Sequence, residues 1–104
     1  MQIQVNTDKN IEGTDRLRDY LTETIQEELS RFEEHITRIE VHLSDENSSK
    51  GGGNDKRCML EARVENMKPI AVVELSDTIE QSVSGATTKL KASLDTIFGR
   101  LGKN

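Results

Sequence analysis

The chain has 104 residues, a length that fits one domain and can bury about two-thirds of the unfolded surface. Only 33% of it is apolar and only Tyr20, Phe32 and Phe98 are aromatic, so the core must be aliphatic. A net charge of −5 excludes sequence-blind binding to nucleic acid by the surface as a whole, while one cysteine excludes an internal disulfide.

Residues 1–6, MQIQVN, alternate strictly and predict a half-buried strand with Met1, Ile3 and Val5 on one face. After a loop rich in Asn, Asp and Gly, Thr14 is a suitable helix N-cap. Leu17, Leu21, Ile25, Leu29 and Phe32 then recur every three or four residues and predict an amphipathic helix of about five turns. Glu23, Glu27, Glu28, Glu33 and Glu34 fall on its outer face.

ITRIEVHL (36–43) alternates again, with Ile39, Val41 and Leu43 inward and Arg38, Glu40 and His42 outward. RCMLEARV (57–64) places Cys58, Leu60, Ala62 and Val64 against Arg57, Met59, Glu61 and Arg63. PIAVVELS (69–76) is a fourth strand candidate, with Pro69 at its first position, where a missing N–H costs least. Residues 44–56, SDENSSKGGGNDK, carry no apolar side chain and read as a flexible hairpin loop.

Asp77 followed by Glu80 resembles a capping box. Ile79, Val83, Ala86, Leu90, Leu94, Ile97 and Leu101 then form the stripe of a second long helix. The order is β-α-β-β-β-α within a single domain, residues 1–104. An α+β fold, with both helices packed on one face of a four-stranded sheet, buries every apolar face at once.

Catalysis finds little support. His35 and His42 lack the spacing of a helical metal pair, so no metal site is expected. Cys58 lies among core positions, where a thiol is inert. KGGGND lacks the phosphate-loop pattern, and Asp45, Glu46 and Asp55 miss the calcium-loop spacing. The exposed strand positions carry no aromatic side chain on which a base could stack. The expectation is a non-enzyme without cofactor. A hydrolase built on Cys58 or His42 is the weakest alternative.

Charge is more informative. Residues 11–40 carry nine acids and four bases, whereas residues 84–104 carry four bases and one acid. On the second helix Lys89, Arg100 and Lys103 share one flank of the apolar stripe, and Lys91 lies on the other. Two readings are open: complementing the helix dipole, or a stripe that follows phosphates. No signal segment and no apolar run of membrane-spanning length is visible, so a cytoplasmic protein is expected.

The stretches MQIQVNTDKNIEGTDRLRDYL, IEVHLSDE, KRCMLEARV and TIEQSVSGATTKLKASLD, in this order, resemble the ribosome hibernation-promoting factor and ribosome-associated inhibitor family in its short form. This group is also called the sigma-54 modulation protein family. Thr14, Leu17, Arg18, Tyr20 and Leu21 follow its first-helix opening, and Lys89, Leu90 and Leu94 its second-helix pattern. The chain departs from that pattern at Glu27, Glu28, Glu80, Ala92, Ser93 and Thr96.

The resemblance implies a fold similar to double-stranded RNA-binding domains. It implies binding to the small ribosomal subunit and its rRNA near the decoding region, inhibition of translation under stress, and no cofactor. Lys89, Lys91, Arg100, Lys103, Arg18, Arg57 and Arg63 would pair with phosphates. A monomer is the simplest expectation, with no membrane and no small-molecule substrate. The alternative is a divergent relative that binds a protein through its acidic first helix.

Overall fold

The computed structural model describes residues 1–46 and 53–100, with the backbone alone at position 100. Four strands and two helices follow the expected order. They are β1 (Gln2–Thr7), α1 (Asp15–Glu28), β2 (Ile36–Asp45), β3 (Lys56–Val64), β4 (Ile70–Ser76) and α2 (Ile79–Arg100). The sheet order is β1-β2-β3-β4. β1 runs parallel to β2, as a strand returning through a helix can, and the other two pairings are antiparallel.

Both helices lie on one face of the sheet, α2 over β3 and β4 and α1 beside β1 and α2. Leu21, Ile25 and Leu29 from the first helical segment, Ile39, Val41, Cys58, Leu60 and Ala62 from the sheet, and Val83, Leu90 and Leu94 from α2 are buried together. The buried hydroxyls of Ser82 and Thr87 donate back to the helix carbonyls of Ile79 and Val83, at 2.8 and 2.7 Å.

The first helix is shorter than its periodicity implies. It starts as expected, with the Thr14 hydroxyl accepting from the Leu17 amide at 3.1 Å. It stops at Glu28, however, and a 3-10 turn over Ser30–Phe32 replaces the last helical turn. That tighter turn stacks residues three apart, so it carries Phe32 onto the buried side that Leu29 already occupies.

A second irregularity lies in β2. The pairing with β3 shifts between Ile36 and Arg38. The bulge lets Ile36 and Ile39, three residues apart, both point into the core.

The cap of α2 also differs from expectation. Thr78, not Asp77, caps it: the Thr78 hydroxyl accepts from the Gln81 amide at 3.0 Å. Asp77 instead accepts the backbone N–H of Asn54 at 2.7 Å. Asn54 sits at φ 58° in the β2–β3 connection, so this contact ties that connection to the turn between β4 and α2. The expected loop at 44–56 is partly strand at both ends, since β2 runs to Asp45 and β3 begins at Lys56. Residues 47–52 of it lie outside the described residues.

Candidate nucleic-acid interface

The sheet face away from the helices is covered by no described element and is charged. In register across β2 and β3, Arg38 stands opposite Arg63, Glu40 opposite Glu61, His42 opposite Met59, and Ser44 opposite Arg57. Like charges thus face one another between strands, and each is offset along its own strand. Arg38 lies 3.1 Å from Glu40, His42 3.4 Å from Glu40, and Arg63 3.9 Å from Glu61. Arg38 also donates to the Gln4 side chain on β1. Towards β4 the same face becomes apolar, with Met59 beside Val73 and Leu75 46% exposed.

The five of the seven cations whose side chains are described, Lys89, Lys91, Arg18, Arg57 and Arg63, do not converge. Arg57 and Arg63 lie on this open face. Arg57 makes no ion pair with any described residue. Arg18 points elsewhere. Its guanidinium donates to the carbonyls of Val5, at 2.5 Å, and Gly13, at 3.2 Å, which ties α1 to β1. Lys89 reaches over the edge of β4. Its ammonium lies 2.8 Å from Glu74 Oε1 and donates to the Val73 carbonyl at 2.7 Å. Lys91, on the other flank of α2, lies 3.7 Å from Glu28 of α1. Of Arg100 only the backbone is described, at the end of α2, and Lys103 lies outside the described residues.

The sheet edges explain the positions of Arg18 and Lys89. Backbone groups alternate between the two sides of a strand. The Glu46 amide bonds the Asp55 carbonyl at 2.8 Å, and the Asp8 amide bonds the Leu43 carbonyl at 3.0 Å. Counting from these bonds, the carbonyls of Val5 on β1 and Val73 on β4 both point outwards from the sheet. Each edge strand therefore has one outward carbonyl covered by a helix cation.

The residue that sequence reasoning missed is Glu74. Ile70, Val72 and Glu74 share the helix-facing side of β4, opposite Ala62, Leu60 and Cys58. An acid at a core-facing position was the available signal.

The candidate nucleophile and metal ligands can each be placed among the described residues. Burial pushes the Cys58 thiol up to about 12, against a weaker pull downwards from Arg57, so it is not a nucleophile at neutral pH. Among the described residues no cluster of His, Cys, Asp or Glu could hold a metal ion. Lys56 is bound by Asp55, at 3.1 Å, and by Asp45, at 3.5 Å. The hydrogen bond that the ammonium donates to Asp55 is the main cause that holds its pKa above the ordinary value. No described helix is long and apolar enough to cross a membrane.

A mixed four-stranded sheet, covered on one side by two helices in the order β-α-β-β-β-α, is the fold of ribosomal subunit interface domains. The structure is similar to a ribosomal subunit interface protein from Coxiella burnetii. The TM-score is 0.77 at 18% identity, covering 95% of this chain and 99% of that one. It is similar also to the N-terminal domain of Thermus thermophilus Protein Y, with a TM-score of 0.74 at 20% identity, covering 93% and 99%. No curated protein shows significant similarity in sequence. The chain belongs to the sigma 54 modulation protein / S30EA ribosomal protein family, whose pattern matches residues 3–101.

Proposed function

We propose that this protein is a cytoplasmic ribosome-associated factor that binds the small subunit near the decoding region and hinders translation. Its 104 residues would act as one domain. The observation that carries the reading is the family match over residues 3–101. Binding would be electrostatic, without bond-breaking chemistry or cofactor. Arg57 and Arg63 on the open face and Lys89, Lys91, Arg100 and Lys103 on and after α2 would pair with rRNA phosphates. Arg18, already bonded to two carbonyls, contributes to the framework instead.

Co-sedimentation with ribosomes at low and moderate salt tests this. Binding that weakens as salt rises, and that falls in a charge-reversed Lys89/Arg100 double variant, is the expected result. A protein that stays in the supernatant at low salt would overturn it.

A second reading has one observation in its favour. Glu23, Glu27, Glu33 and Glu34 are exposed and make no ion pair with any described residue, whereas most described cations are paired. This acidic surface would suit a basic protein partner. A complex that survives nuclease and is lost on Glu-to-Gln changes at Glu23, Glu27, Glu33 and Glu34 would favour it.

A further inference from the structure

We propose that Glu74 is an intramolecular competitor for the polyanion. Its carboxylate holds Lys89 in the free protein, and binding requires Lys89 to exchange Glu74 for a phosphate. This rests on the ribosome-binding reading above.

The competitor is built into the fold at three points. First, the alternation of β4 turns Glu74 towards α2 with Ile70 and Val72, so the acid cannot swing onto the open face without breaking register. Second, α2 provides a niche for it. A Cβ at Gly85 would lie 2.7 Å from the Cγ, Cδ and Oε2 atoms of Glu74, so only glycine lets the carboxylate rest against the helix there. Third, Lys89 follows Gly85 by four residues, about one helical turn, which sets its ammonium above that niche at 2.8 Å.

The pair is also set apart from the other candidate contacts. Lys91 and Arg63 lie 3.7 and 3.9 Å from their acids, distances at which the partners are readily exchanged. Glu74 is 28% exposed, while Lys89 remains 54% exposed. The acid is held in place and the ammonium stays accessible, so an incoming phosphate meets a cation already neutralised by a fixed carboxylate. Replacing Glu74 with Gln keeps the volume and removes the competing charge. Lys89 then has only neutral acceptors, the Val73 carbonyl and the substituted side chain's amide oxygen, and presents a full charge.

The test compares wild type, E74Q, K89Q, the E74Q/K89Q double variant and E34Q in ribosome co-sedimentation across salt. E34Q removes one exposed carboxylate and so controls for net charge. E74Q is expected to bind roughly two- to five-fold tighter at low salt, with about one more counterion released per complex. E34Q should gain less, and the double variant should bind like K89Q. E74Q binding no better than E34Q, or an equal gain in the K89Q background, overturns the proposal and leaves the ribosome reading standing. A pair that served only to protect the β4 edge would give that result.

A second measurement needs no ribosome. Acylation of lysine amines, read by mass spectrometry, should label Lys89 more slowly than the exposed Lys68, which makes no ion pair with any described residue, in wild type. E74Q should speed the labelling of Lys89. Equal rates in wild type and E74Q overturn the proposal. If wild type and every variant leave ribosomes unbound, the ribosome reading fails. The proposal is then decided with inorganic polyphosphate as the probe, where the same gain for E74Q is expected and its absence overturns it.

Discussion

The ring of Phe98 lies 4.4 Å from that of His35, centroid to centroid, and 5.9 Å from Phe32. Phe98 belongs to the last turns of α2, and the other two belong to the segment between α1 and β2. Arg31 strengthens the junction, with its guanidinium 4.8 Å above the Phe32 ring and an ion pair to Asp95. This cluster fixes the end of α2 against the protein. Phe98→Ala should therefore cost about 2–3 kcal/mol, somewhat below a fully buried phenylalanine. Urea unfolding checks this; a loss under about 0.5 kcal/mol, the level of ordinary surface changes, would mean that the junction does not hold.

Two glycines of α2 should respond oppositely to alanine. Gly99 has nothing within 4 Å of an added Cβ, so Gly99→Ala should stabilise by up to about 1 kcal/mol through helix propensity. At Gly85 the same propensity gain is offset by the clash with the flexible end of Glu74, which must leave its niche and its contact with Lys89, a loss of up to about 1 kcal/mol. Thermal unfolding should thus rank G99A above wild type and G85A at or below it.

The cap of α2 gives a sharp comparison between neighbours. Thr78→Ala removes the acceptor for the Gln81 amide and should cost about 1 kcal/mol. Among the described residues Asp77→Ala removes the contact with the exposed Asn54 amide, and it should cost less. Chemical denaturation of the two single variants decides it, and a larger loss for D77A would restore the capping box read from the sequence.

Cys58 predicts an alkaline dependence. Its thiol is raised in the folded state from 9.0 to about 12 by desolvation. Below pH 9 the thiol carries its proton whether folded or unfolded, and contributes no slope. Between pH 9 and 12 the unfolded chain has lost the proton that the folded one keeps. Stability from this group therefore falls as pH rises, by up to about 1.4 kcal/mol per unit. Other groups titrate there too, so the measurement is the difference between wild type and Cys58→Ala from pH 8 to 11. Parallel curves would show that the thiol ionises normally in the fold.

Two arginines proposed from the sequence for the same role should separate by experiment. Arg18→Gln loses charged hydrogen bonds to two carbonyls and should cost about 1.5–3 kcal/mol of stability, with little effect on binding by the molecules that remain folded. Arg57→Gln should leave stability within about 0.5 kcal/mol and lower the salt dependence of ribosome binding by about one unit.

The sequence made the sheet legible where one face is buried. Cys58, Leu60, Ala62 and Val64 alternate without interruption, and all four are buried. Thr14 was readable as a cap because a hydroxyl directly precedes the helical period. The end of α1 was not, because Leu29 and Phe32 are three apart and suit a 3-10 turn as well as an α-helix. The choice between Asp77 and Thr78 was hidden for a similar reason: both side chains can cap, and the Asn54 amide that engages Asp77 comes from another part of the chain. The candidate interface was harder still. A helical wheel places Lys89 among cations of its own helix and says nothing of Glu74, fifteen residues earlier on a neighbouring strand. Arg18 likewise reads as a surface cation until β1 is laid beside α1.

The covering of Val5 and Val73 by Arg18 and Lys89 bears on how the protein behaves in a crowd. An open sheet can grow at either margin by accepting a strand from another molecule, the first step towards fibrils. Here each margin has one outward carbonyl already engaged by a charged side chain. A fifth strand would have to displace a cation before its own amide could bond. Adding a strand at Val5 or Val73 therefore carries the cost of a lost charged hydrogen bond.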